Sequence, residues 1–257
     1  MSYREHAPSK ALAARIECHW TRTGVDRTPT RVLPDGCIDL LFDLRRGRAQ
    51  VVGVMTRAIV SGGDAELLGV RFRAGEAPAW LGFSARESRD ALVDLGDAWG
   101  TEGRALADRI AQETKLETRL AIVEQALLSR EAKARAFRRG DHRVRRAIAV
   151  IESSRGAIEI EPLARSVGLG ARQLERAFDL FVGVGPKALA RIARLRALVE
   201  RIRHARVVCW ADLSIELGYA DQAHLIRDVG KLAGVTPVQL MSEMSNRGAR
   251  AGDRVGA

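Results

Sequence analysis

The 257-residue sequence predicts an α+β protein: a small antiparallel, β-rich amino-terminal domain with packed helices, followed by an all-α domain built on two helix-turn-helix units. Three observations predict it. Short β-branched and aliphatic runs broken by turn formers fill residues 30–73, apolar residues recur at helical spacing from residue 98 onward, and a helix-glycine-helix pattern occurs twice in the second half. With 46% apolar residues there is material for a core in each domain.

The strand signals come first. TRVL, IDLLFDL, AQVVGVM, AIV and ELLGVRFR, from Thr30 to Arg73, are separated by Pro34, Asp35, Gly36, Gly47, Gly62, Gly63 and Asp64. Residues of those types bend the chain rather than extend it, so the segment reads as a small antiparallel sheet or partial barrel. The period then changes. Ala98, Leu106, Ile110, Leu116, Leu120, Val123 and Leu127 predict two helices near 98–112 and 115–136. The stretch from Arg130 to Arg143 has few apolar anchors and contains Gly140, which places a domain boundary near residue 139. The expected domains are therefore 1–139 and 140–243, with a polar, glycine-rich and disordered tail over 244–257.

Beyond the boundary the chain repeats itself. Leu163 to Leu169 reads LARSVGL, and Leu213 to Tyr219 reads LSIELGY. Each is a short amphipathic helix stopped by a glycine, Gly168 or Gly218, the residue that tolerates the left-handed geometry of a tight inter-helix turn. A second helix follows each. With one extra residue in the second turn, Leu174 matches Leu225, Arg176 matches Arg227, Phe178 matches Val229, Gly183 matches Gly234, Pro186 matches Pro237 and Leu189 matches Leu240. The bridge from Pro186 to His204 starts with proline in the first helical turn and sets Leu189, Ile192, Leu195, Leu198 and Ile202 on one face. Its length as a helix is roughly 27 to 29 Å, close to the ~34 Å between successive major-groove openings on one face of B-DNA.

These features resemble the AraC-type (AraC/XylS) bacterial transcription regulators, whose DNA-binding portion is a double, homeodomain-like helix-turn-helix. The resemblance covers residues 142–243 and is most specific in LGYADQAHLIRD, Leu217 to Asp228, and GVTPVQL, Gly234 to Leu240. VLPDGCIDLLF, Val32 to Phe42, and LLGVRFRAGEAPAWLG, Leu67 to Gly82, resemble a domain appended to a subset of these regulators. The resemblance implies sequence-specific binding of double-stranded DNA by two recognition helices, 171–181 and 221–230, in successive major grooves. It implies a small-molecule effector and a homodimer as further partners, and no cofactor.

Carried over by position, the first recognition helix presents Arg172, Glu175 and Arg176, and the second presents Gln222, Ala223, His224 and Arg227. The chemistry agrees. Arginine forks onto guanine O6 and N7, glutamine grips adenine bidentately, and glutamate accepts from cytosine N4 or orients an arginine. His224 caps or packs as readily as it reads a base, and Asp221 suits the helix cap. Gly170, Val229 and Gly230 depart from the family pattern, and an interior glycine predicts a looser second recognition helix.

Charge is consistent with a polyanionic partner. The chain has 42 basic and 32 acidic residues, a net +10, and residues 141–206 alone hold 14 basic against 7 acidic. Arginine supplies 37 of the basic residues, a bias that a GC-rich genome would also produce. No apolar run is long enough to cross a bilayer and the first residues lack a signal peptide's apolar stretch, so the expectation is a cytoplasmic protein.

Enzymatic readings find little support. No metal-like histidine spacing, G-x-S-x-G or P-loop pattern occurs. Cys18, Cys37 and Cys209 read as reduced, buried thiols, with no C-x-x-C pair. Alternation would set Asp35, Cys37 and Asp39 on one strand face, as a turn aspartate and a structural cysteine rather than a reactive thiol. Arg71 and Arg73 read as a solvated strand face or the wall of an anion pocket, and Trp20, Trp80 and Trp99 as core. Two alternatives remain: a methyl-accepting DNA-alkylation repair protein fused to a related DNA-binding domain, and a nonspecific architectural DNA binder.

Overall fold

The computed structural model describes residues 2–133, 142–203, 205 and 207–252. The expected boundary near 139, the helix end at 134–136 and His204 lie outside the described residues. An antiparallel sheet and a set of helices, in the predicted order, share one buried apolar cluster.

Six strands form the sheet: β1 (Ser2–His6), β2 (Ile16–Val32), β3 (Ile38–Asp43), β4 (Arg48–Val52), β5 (Ile59–Phe72) and β6 (Leu92–Asp94). The spatial order is β1-β2-β5-β3-β4-β6, and every pairing is antiparallel. The period-2 pattern of IDLLFD sets the inner face. Ile38, Leu40 and Phe42 are buried and pair across to Phe72, Val70 and Leu68 of β5, while Val51 and Ala49 of β4 complete the patch.

The amino-terminal strands differ from the sequence-based expectation. β2 and β5 are long, and the sequence predicted neither β1 nor β6 nor most of β2. AIV and ELLGVRFR are one strand: Gly62, Gly63 and Asp64 continue β5, and the irregularity falls opposite, as a register shift in β2 between Asp26 and Thr30. Gly62 is small enough to lie against Pro29, whose Cα would be 3.2 Å from an added Cβ. That close approach, rather than a turn, explains the glycine.

Helices cover one face of the sheet. α1 (Pro78–Leu81) and a 3₁₀ turn (Ala85–Ser88) precede β6, and α2 (Leu95–Trp99), α3 (Thr101–Gln112) and α4 (Leu116–Lys133) follow it. Leu106, Ala107 and Ile110 of α3 and Val123 and Leu127 of α4 supply the buried stripe. Trp80 is fully buried and satisfies its indole N–H on the Leu127 carbonyl at 3.0 Å. Trp99 is also core, whereas Trp20 is half-buried, its ring lying directly over Gly69 of β5.

The PDGCIDL segment is not a single strand face. Asp35 sits in the turn before β3 and accepts from the Cys37 N–H at 2.9 Å, and only Asp39 belongs to the strand. Both carboxylates converge on Arg71, which meets Asp39 through Nε and Nη2 at 3.3 Å and Asp35 through Nε at 3.3 Å. Arg71 is therefore a largely buried partner for two acids, not a solvated side chain. Burial raises the Asp39 carboxyl to about 6 against the pull of that guanidinium. Burial also raises the Cys37 thiol well above its ordinary value and Cys18 to about 11, the opposite of an activated thiolate. Cys209 is exposed, contrary to the expectation that all three are buried.

The second half folds as α5 (His142–Ser153), α6 (Ile160–Ser166), α7 (Ala171–Phe181), α8 (Pro186–Arg203), α9 (Trp210–Glu216), α10 (Gln222–Ala233) and α11 (Pro237–Gly252). The backbone is helical through Gly252, past residue 244 where the sequence predicts a disordered tail. No helix among the described residues is long and apolar enough to cross a membrane.

Candidate nucleic-acid interface

The two helix-turn-helix units match down to single backbone bonds. In the first, Gly168 turns α6 into α7 at φ 73°, the Gly168 N–H bonds the Arg165 carbonyl at 3.0 Å, and the Leu169 N–H bonds the Ala164 carbonyl at 2.9 Å. In the second, Gly218 turns α9 into α10 at φ 72°, with bonds from Gly218 to Ile215 at 3.0 Å and from Tyr219 to Ser214 at 2.9 Å. A positive φ of this size is cheap for glycine and strained for other residues. The same device recurs where α7 and α10 stop, at Gly183 (φ 85°) and Gly234 (φ 71°), and Pro186 and Pro237 open α8 and α11.

Within each unit one face of the second helix is anchored and the other is open. Leu174 and Phe178 of α7 are fully buried, as are Leu225 and Val229 of α10. Arg172, Glu175 and Arg176 are exposed, and so are Gln222, Ala223 and Arg227. Leu189, Ile192, Leu195, Leu198 and Ile202 form the buried face of α8, which is about 27 Å long at 1.5 Å per residue.

Two of the seven predicted site residues lie against their own scaffold. Glu175 folds over the start of α8, where a Cβ on Gly185 would lie 2.1 Å from its Oε1. His224 is half-buried: its Nδ1 accepts from the Ala220 N–H at 3.4 Å, and its ring stands edge-on to Tyr219 with centroids 5.3 Å apart. Asp221 caps α10 as expected, accepting from the His224 N–H at 2.6 Å. At the start of α7 the cap residue Gly170 has no side chain to offer, and Gln173 accepts from its N–H at 3.0 Å instead.

α10 runs unbroken through Gly230. That glycine is exposed, and an added Cβ would meet nothing within 4 Å. Gly230→Ala is accordingly expected to stabilise the protein by about 0.5 to 1 kcal/mol, through the backbone entropy that glycine loses in a helix. The midpoint of denaturant unfolding checks it; an unchanged or lower midpoint would show that the position is not relaxed helix.

Several further residues organise the interface. Asp228 is buried between α10 and α8, where Arg191 binds its carboxylate. Arg194 lies over the Tyr219 ring, 5.1 Å from its centroid, and reaches the Gly218 carbonyl at 3.4 Å. Arg201 pairs bidentately with Glu216 at 2.9 Å. Together these tie the second unit to α8. A signal for Asp228 was present: an acid three residues after Leu225, on the apolar stripe of α10.

Two glycine-turned helix pairs, each with a buried inner face and an exposed polar outer face, define the class: a helix-turn-helix DNA-binding protein. Residues 163–243 match a family described as "Helix-turn-helix domain", and residues 4–94 match a "Domain of unknown function (DUF6597)". Residues 163–243 therefore form a helix-turn-helix domain, and residues 4–94 belong to a separate amino-terminal domain family.

Among solved structures, a transcriptional regulator with an AraC-type DNA-binding domain from Chromobacterium violaceum is 18% identical, with a TM-score of 0.37 over 40% of this chain and 91% of its own. A probable AraC family transcriptional regulator from Rhodopseudomonas palustris CGA009 is 22% identical, with a TM-score of 0.36 over 40% of this chain and 98% of its own. ToxT from Vibrio cholerae is 9% identical, with a TM-score of 0.41 over 93% of this chain and 96% of its own. No curated protein matches the sequence.

Proposed function

We propose that this chain is an AraC-type transcription regulator that reads a specific duplex by placing α7 and α10 in successive major grooves, with the amino-terminal domain modulating that engagement. The observation that carries the reading is the duplication itself. Two units with the same turn geometry expose polar residues at matching positions, Arg176 and Arg227 among them, and are joined by a packed helix of about 27 Å. Arg172 and Arg176 would fork onto guanines, Gln222 onto adenine, and Arg227 onto guanine or phosphate, with Ala223 leaving room for close approach. Glu175 and His224, engaged with their own scaffold, would support these contacts at the rim of the interface.

Modulation has a physical route. A cleft of about 920 Å³ lies between the sheet and the helical domain, bordered by Arg31, Arg73, Glu152, Arg196, Leu240 and Glu243. Its size suits a small effector. A molecule seated there would touch α8, the helix that spaces the two units, and the chain would bind as one arm of a homodimer.

The test is Arg176→Ala, measured against a duplex selected by the protein from a random-sequence pool and a scrambled version of it. The expected result is a loss of about 1 to 3 kcal/mol on the selected duplex, with preference relaxed at one base pair. Equal binding to both duplexes before and after the change would defeat the claim of specificity.

A further inference from the structure

The amino-terminal domain touches both reading helices at their carboxy-terminal ends. At α10, Arg31 of β2 donates to the Ala233 carbonyl at 2.9 Å and to Glu243 at 3.0 Å, and the Ala58 N–H bonds the Leu232 carbonyl at 2.7 Å. At α7, Arg89 donates Nη2 to Asp179 and Nε to the Gly183 carbonyl, and Arg86 stands 3.5 Å from the second Asp179 oxygen. The 3₁₀ turn that carries Arg86 is held firmly. Ser88 is fully buried with its hydroxyl on the Ala85 carbonyl, Glu87 is engaged by the Ser84 N–H and hydroxyl, and Ala85 presses against Gly183, where a Cβ would lie 2.8 Å from its carbonyl oxygen.

Asp179 is an awkward residue for its place. It follows Arg172 by seven positions and Glu175 by four, so at about 100° per residue it lies within about 20° and 40° of them around the helix. It is also about 10 Å further along the axis than Arg172. The major groove is about 12 Å wide. When Arg172 reaches base edges, a group that far along the same face stands at the phosphate wall, where a carboxylate is repelled. Two arginines meet this single acid, and they are not equivalent. Arg89 is consumed by two acceptors, whereas Arg86 keeps 67% of its side chain in solvent.

We propose that Arg86 is a phosphate-contacting residue of the DNA interface, supplied to the first reading helix by the amino-terminal domain. It would contact a phosphodiester oxygen without regard to sequence while screening Asp179. The proposal rests on the reading that α7 enters the groove. One side chain would then serve domain docking and DNA backbone contact together, so each favours the other.

The experiment titrates the selected duplex and a random-sequence duplex of equal length with full-length protein across a range of salt concentrations. Arg86→Ala is expected to weaken both by the same factor and to flatten the slope of log K against log salt by about 0.9, the share of one phosphate. Arg86→Lys keeps the slope. Arg48→Ala, the same charge loss at the start of β4 beside the hairpin tip, leaves it unchanged. Asp179→Asn separates contact from mere latching. It removes the repelling charge and should tighten both duplexes, whereas a purely structural latch predicts the loss seen with Arg86→Ala. A slope for Arg86→Ala equal to that of Arg48→Ala, a loss confined to the selected duplex, or weakening by Asp179→Asn overturns the proposal. A selected duplex whose binding ignores Arg176→Ala points instead to failure of the underlying assignment of α7.

Discussion

Phe178→Ala is expected to destabilise the protein by about 3 to 5 kcal/mol, the range for deleting a fully buried aromatic ring. Phe178 is 0% exposed and, with Leu174, forms the fully buried stripe of α7, beside which Ala177 and Phe181 are only partly buried. The neighbouring turn is tight. Gly183 bonds back to the Phe178 carbonyl at 2.9 Å and lies against Val54 and Ala85, which leaves the surroundings little room to collapse into the cavity. A domain has about 5 to 15 kcal/mol in hand, so the loss would consume a large part of it. Chemical denaturation of Phe178→Ala beside Leu180→Ala checks the claim. Leu180, on the same helix, is 40% exposed and should shift the midpoint little. Similar shifts for the two would mean that α7 is not held by its buried face.

Asp228→Ala is expected to cost about 3 kcal/mol, the low end for breaking a buried ion pair, because Arg191 retains 28% of its side chain in solvent. The damage would be directional. The pair joins α10 to α8, so its loss would loosen the second reading helix on the spacer while leaving the first in place. Binding to the selected duplex should fall more than binding to random DNA, because register between the two units matters only for a defined site. Asp228→Leu combined with Arg191→Met should recover most of the stability, since an apolar pair avoids leaving a lone charge in the seam. If the double variant is as unstable as Asp228→Ala, the seam depends on more than this pair.

The duplicated module was legible in the sequence because its constraints are local. A left-handed turn needs glycine within one or two residues of a helix end, and Gly168, Gly183, Gly218 and Gly234 mark all four. The open faces were legible for a related reason: the 3.6-residue period separates Arg172 and Arg176 from Leu174 and Phe178 without any knowledge of the tertiary fold. The first two strands were harder. SYREH and RTGVDRTPT carry no apolar alternation: β1 is an edge strand with four of its five residues exposed, and in β2 Thr23, Val25 and Pro29 are exposed while the buried residue of that stretch is the charged Arg22. Gly62 and Gly63 pointed the wrong way, since the same residue marks a turn and a close strand contact.

The ion pairs between the two halves were out of reach altogether. Arg31 and Glu243 are 212 residues apart and Arg89 and Asp179 are 90 apart, and nothing in a local window links them. His224 was the instructive middle case. Its position matched a base-reading residue, yet its ring is committed to Tyr219 and the Ala220 amide, a partnership visible only once the turn is folded.

The shared apolar cluster carries a lesson for anyone wishing to graft this reader onto another sensor. Gly36 fits so closely against Leu189 that a Cβ would lie 2.6 Å from its Cδ1, and Gly75 is as close to Ile148, with 2.8 Å to its Cδ1. Severing the chain between the halves would uncover greasy seams on both fragments, prone to self-association. A transplant would need those seams resurfaced with polar side chains before the carboxy-terminal portion could travel alone.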